Sequence, residues 1–209
     1  MFERFKSVFS ADTGISMPVW RDDALLTIRG YRELMEEFAG RSFDGGLYRL
    51  HSAVSGPVGQ ELVSRAFPEF AGRVRVFGFD WMGRQAAADF GRVDSHGPMM
   101  LVLEPGAGEA LEIPVGFEWF HDEEMVDFRN ELLASDFFAQ WRESNRVTAP
   151  LRLDQCVGYR LPLFLGGSDT TDNLEISDFE VYWDFAGQLR KQSLEFPLQT
   201  GVRRVIPEK

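Results

Sequence analysis

Phe2, Phe5, Val8 and Phe9 fall on one side of a short helix at the start of the chain, a stripe suited to docking on the rest of the protein. After a loop at 12–18, Tyr31, Leu34, Met35 and Phe38 recur at helical spacing over 30–39, with Gly40 as the stop. Gly45-Gly46 turns the chain into a short strand, and "SGPVGQELVSRAF" reads as a helix opening near Pro57. The period then changes. Arg73 and Arg75 alternate with Val74 and Val76, "RQAAADF" returns after the turn "DWMG", and "PMMLVLE" (98–104) is apolar enough to be covered on both faces. "ALEIPV" brings Leu111, Ile113 and Val115 onto one face. Four strands joined by tight turns predict an antiparallel sheet.

Helical spacing returns at 122–133, with Met125, Phe128 and Leu132 on one face, and at 136–144, with Phe137, Phe138 and Trp141; Ser135 suits the cap of the second helix. A crossing loop fills 146–155. "GYRLPLFLGG" is an extended apolar segment and "SDTTDN" a polar loop, followed by a short strand, "LEIS", with Leu174 and Ile176 inward. Ser177-x-x-Glu180 has the spacing of a capping box. The helix after it turns Phe179, Tyr182, Trp183, Ala186 and Leu189 inward and Glu180, Asp184, Gln188 and Lys191 outward. The fold class expected is α+β, a central mostly antiparallel sheet with flanking helices. The expected span is one domain over 1–209, with two lobes open as a division at about residue 120.

Composition supports a packed core: of 209 residues, 44% are hydrophobic and 13% aromatic, including 19 Phe. Charge narrows the partners. Acids outnumber bases 33 to 22, for a net charge of −11. A field of that sign repels phosphate backbones and anionic lipid and attracts cations, so neither direct nucleic-acid binding nor a membrane role is expected. Solubility is the ordinary reason for such a balance. The single cysteine, Cys156, has no basic neighbour and reads as a buried thiol. The start of the chain does not resemble a signal peptide, and a cytoplasmic location is expected.

No phosphate loop, dinucleotide fingerprint, HExxH or GxSxG motif occurs, so no catalytic residue, cofactor or metal is assigned. Two acidic clusters invite other readings. His121 precedes Asp122-Glu123-Glu124, which suits either a cation seat or a helix start, and Asp169, Asp172 and Glu175 suit either Ca²⁺ or a solvated loop. Trp119, Phe120, Trp81 and Trp20 sit in or near turns, and one or two of them at a surface beside acids would make an anchor for a basic protein. The interaction candidates are therefore Asp169, Asp172, Glu175, Glu123, Glu124 and Trp119.

A resemblance sharpens this. Gly158-Tyr159, Pro162-Leu163-Phe164-Leu165-Gly166-Gly167, Asn173-Leu174-Glu175, Glu180-Val181-Tyr182-Trp183 and Gly187-Gln188-Leu189 together resemble the C-terminal domain of the Tdi-type immunity proteins, which partner DNase effectors of type VI secretion systems. "GLYRLH" (46–51) and "VFGFDWMGRQAAAD" (76–89) are similar to the preceding part of such proteins, with its GAD-like and SUKH-type fold. The division this implies is a GAD-like part over about 1–120 and a Tdi C-terminal part over about 121–195. The resemblance implies a non-catalytic cytoplasmic protein whose partner is a cognate basic toxin, a nuclease. The alternatives are a regulatory or protein-interaction module of the same fold without a toxin, and an unrecognised enzyme or small-ligand protein.

Overall fold

The computed structural model describes residues 1–195; the expected domain span to 209 runs past them, and 196–209 lie outside the described residues. Six strands form one antiparallel meander in the order β1 (Ser42–Phe43), β2 (Tyr48–Leu50), β3 (Val74–Asp80), β4 (Gln85–Asp94), β5 (Gly97–Glu104) and β6 (Glu109–Ile113). The alternation expected for 73–76 is present: Val74 and Val76 are buried and Arg75 is half-buried. Beyond Val76 both faces of β3 are covered. In β5 the consecutive residues Met100, Leu101, Val102 and Leu103 are all buried, so both faces are covered there too, while its edges pair with β4 and β6.

Helix α1 (Glu3–Val8) docks through Phe2, Phe5 and Phe9, with Phe5 stacked on Phe9 at 4.7 Å between ring centres; Val8 points outward instead. Helix α2 (Tyr31–Phe38) buries Tyr31, Leu34 and Met35. Helix α3 (Ser55–Ala66) crosses β3 and packs along α8 (Phe179–Glu195). Gly187 makes that approach possible: a Cβ there would stand 2.8 Å from the Cβ of Ala66.

The predicted helix at 122–133 is several pieces. α4 (Phe117–Trp119) runs into a π turn (Phe120–Glu124), then α5 (Met125–Asp127) and α6 (Arg129–Leu133). Met125 and Leu132 are buried, but the break at Phe128 leaves that ring exposed. In α7 (Ser135–Ser144) Phe138 and Trp141 are buried as expected. Its start is not capped by Ser135: the Asn130 side-chain carbonyl accepts from Asp136 N–H at 3.0 Å, and Ala134 takes a left-handed conformation.

Strands β7 (Gln155–Tyr159) and β8 (Leu174–Asp178) form a separate antiparallel ribbon. Val157 N–H donates to the Trp81 carbonyl at 2.8 Å, joining the ribbon to the β3–β4 turn. The helix after the ribbon is capped by Asp178, whose Oδ1 accepts Val181 N–H at 3.0 Å, one residue later than the Ser177 box predicted. Leu174 is buried, whereas Ile176 is exposed because a two-stranded ribbon covers little on its outer side. Leu111 is exposed on the edge strand β6 for a similar reason, while Ile113 is covered. The inward face of α8 is as expected: Phe179, Tyr182, Trp183 and Ala186 are buried. Gly158 is required beneath it, since any side chain there would run into the Tyr182 ring.

Buried polar groups stitch the sheet to the segments after it. The Trp81 indole donates to the Leu133 carbonyl at 2.8 Å, and the Trp183 indole to the Gly83 carbonyl at 2.7 Å. Arg49, with no solvent exposure, donates to the carbonyls of Asp80 (2.5 Å) and Arg152 (3.0 Å) and lies 4.3 Å over the Phe79 ring. A buried guanidinium without such acceptors would be costly, so these bonds fix where the 152–155 loop crosses the sheet.

Candidate interaction surface

Around Trp119 the backbone geometry decides what faces solvent. The π turn inserts an extra residue per turn, which places Phe117, Phe120 and His121 inward and leaves Trp119 58% exposed. His121 accepts from the Tyr48 hydroxyl at Nε2 (2.9 Å) and donates from Nδ1 to the Phe117 carbonyl (2.9 Å). Burial lowers its pKa to about 3, so it is neutral and both ring nitrogens are engaged. The cation seat imagined at 121–124 is thus not assembled. Asp122 accepts Phe5 N–H at 2.9 Å and Glu123 pairs with Arg4, fastening α1 to the π turn. Glu124 is half-buried beside them. Trp119 stands between two hollows of about 420 and 250 Å³; His96 lines both, and Arg29 in the larger pairs with Glu118 at 3.1 Å.

The second predicted cluster lies at a different hollow. Asp169 accepts the Tyr159 hydroxyl at 2.6 Å, and lines a shallow hollow with Asp136 and Phe137. Glu175 is held by Arg160 at 3.2 Å, and Arg160 also donates to the Asp172 carbonyl at 3.3 Å. The loop is zipped by Asn173, whose amide donates to the carbonyls of Leu161 and Ser168 at 2.9 Å each. Asp172 alone of the three carboxylates has no ion pair or side-chain hydrogen bond among the described residues. Among those residues, no three His, Cys, Asp or Glu side chains are gathered as a metal set.

A third place was not anticipated. Between the first turns of α3 and α8 lies a groove of about 230 Å³. Val58, Phe79, Leu153 and Phe179 give it an apolar floor and walls, and Val54 stands at its mouth, 67% exposed. Its carboxylates are Asp154, Asp178 and Glu180. Among the described residues, no lysine or arginine lines it. His51 closes one side, bonded to Gln85 Oε1 at 2.8 Å and Ser55 Oγ at 3.1 Å; burial lowers its pKa to about 4 and it is neutral. The groove draws on segments near 54, 79, 153 and 179, too far apart for any local spacing to announce it. The one sequence signal is the acidic start of α8, which the capping-box spacing of Ser177-x-x-Glu180 explains locally. Cys156 is fully buried, and burial pushes its thiol pKa up, away from nucleophilic use.

Comparison with known proteins gives this geometry a context. No curated protein matches the chain. The crystal structure of Atu4351 from Agrobacterium tumefaciens superposes with a TM-score of 0.55 at 13% identity, over 90% of this chain and 89% of that one, which shows a shared α+β fold. Residues 117–190 match the family model described as T6SS immunity protein Tdi1, C-terminal. The stretch from α4 to the middle of α8, with its π turn, ribbon and groove wall, is therefore the part of the chain that is similar to the C-terminal domain of T6SS immunity protein Tdi1.

Proposed function

We propose that this chain acts in the cytoplasm as an immunity protein that binds and neutralises a cognate toxin, a DNase effector of a type VI secretion system. The family match over 117–190 carries this reading, since a Tdi1-type domain implies a type VI secretion immunity protein and hence a toxin partner. The chemistry of the chain supports inhibition by binding rather than by catalysis. His51 and His121 are buried and neutral, and Cys156 is a buried thiol. The net charge of −11 suits a basic, DNA-binding partner, because opposite fields speed encounter and favour the right orientation. In this reading Asp169, Asp172 and Glu175, with Glu123 and Glu124, supply field.

The test is co-expression with the secreted toxin encoded beside the gene for this chain. Rescue of growth and co-purification of the two proteins are expected. Growth arrest despite soluble expression, with no complex recovered, contradicts the reading and leaves a regulatory module without a toxin partner.

A further inference from the structure

We propose that the groove between the first turns of α3 and α8 is where the cognate toxin anchors, and that it takes an apolar side chain flanked by lysine or arginine. This rests on the reading of the chain as an immunity protein. Three observations choose the occupant. At about 230 Å³ the groove is smaller than the roughly 300–1,000 Å³ of small-molecule sites, and suits one or two side chains. Its floor is apolar, so an aliphatic or aromatic side chain entering it gains burial. Its rim is acidic, and among the described residues no lysine or arginine lines it.

The rim carboxylates differ in how far they are occupied. Asp154 is held by Arg152 at 2.8 Å, and Arg152 is not among the residues lining the groove. Asp178 caps α8, a bond that leaves its charge in place. Glu180 is exposed and has neither an ion pair nor a side-chain hydrogen bond among the described residues. A cation arriving at this rim would therefore meet Asp178 and Glu180 without first displacing a resident arginine. The groove also joins two parts of the chain. Val54, Val58 and Phe79 come from before residue 117, and Leu153, Asp178 and Phe179 come from the stretch similar to the Tdi1 C-terminal domain. A ligand held there would contact both and would recognise their joint shape.

The experiment titrates the adjacent-gene toxin, with its active site disabled, against the whole chain, the double variant Val54→Lys/Glu180→Lys, and Glu143→Lys, which reverses an exposed acid on α7. Both groove positions are exposed, so melting curves should match wild type and confirm folding. The double variant is expected to bind at least about 30-fold more weakly, the loss typical of a central anchor, with Glu143→Lys unchanged. Wild-type binding with an unaffected double variant overturns the groove and leaves the immunity reading standing. Equal weakening by the double variant and Glu143→Lys also overturns it, since a diffuse field would then account for binding. Absence of binding by the wild type overturns the immunity reading, and the groove assignment with it.

Discussion

Trp119 and Val54 are each the most exposed large apolar residue lining its hollow, 58% and 67% open, yet their settings differ. His51, buried and neutral, lines the α3–α8 groove, whereas the equally buried His121 lines neither of the hollows beside Trp119. At the ridge the protein brings its own cations. Arg29 pairs with Glu118, and Arg4 is engaged with Glu123 and Asp127. At the groove no lysine or arginine among the described residues lines the walls, and the floor is apolar. Exposure of a large aromatic is thus a poorer guide to an anchoring site than a recessed apolar surface whose charge is not already met from within. Ion pairs formed on a surface are individually weak, but a partner must break them before it can use the same carboxylates.

The largest contrast expected is in stability. Phe179 is both groove wall and core, lying 4.7 Å from the Phe79 ring centre, so Phe179→Ala should cost about 3–5 kcal/mol by denaturant unfolding. Trp119→Ala should change stability by no more than about 0.5 kcal/mol, as exposed substitutions do. A large loss at Trp119 would mean that the ridge belongs to the core, and the comparison would fail.

The two histidines set a pH dependence. Their folded pKa values, about 4 for His51 and about 3 for His121, lie below the ordinary 6.5 because burial disfavours the charged ring. Their contribution is present above 6.5 and is lost as pH falls towards those values, because the unfolded chain takes up the protons first. Glu104 acts in the opposite sense. Burial raises its carboxyl from 4.5 to about 7, against the pull of Arg84, so the folded state holds a proton that the unfolded chain has released. Its effect is a loss of stability as pH rises from 4.5 to 7. Two protons outweigh one, so stability measured by urea titration should fall from pH 6.5 to 4. In Glu104→Gln the acid-side fall should be steeper, and stability at pH 8 higher than in the wild type. An unchanged profile would show that Glu104 does not titrate as described.

The smallest effect is expected from the acidic loop. Reversing all of Asp169, Asp172 and Glu175 would also break the Tyr159 and Arg160 contacts, so Asp172→Lys is the cleaner change. It should slow toxin association a few-fold at low salt, with little change in dissociation, as rim charges do. Stopped-flow rates at two salt concentrations measure this. A change confined to dissociation would make Asp172 a contact and remove its role as a source of field.

These contrasts also show what the sequence could and could not reveal. The alternation at 73–76, the apolar run in β5 and the inward face of α8 were legible because each depends on local period alone. Leu111, Phe128 and Ile176 were expected inward and are exposed, since period does not say which strand is an edge or where a helix breaks. The π turn has no periodic signature, yet it decides that Trp119 faces out and His121 in. The acids at 169–175 were visible as charges, but their partners Tyr159 and Arg160 become neighbours only through the β7–β8 ribbon. The groove depends on Arg49 fixing the 152–155 loop across the sheet, a long-range bond that leaves no local pattern.

The most direct test of toxin anchoring in the groove is amide hydrogen exchange of the chain alone and saturated with the disabled toxin. The account predicts slowed exchange at residues 53–58, 153–155 and 178–181, with 117–124 little changed. Protection concentrated at 117–124, with the groove segments exchanging as in the free protein, would contradict it.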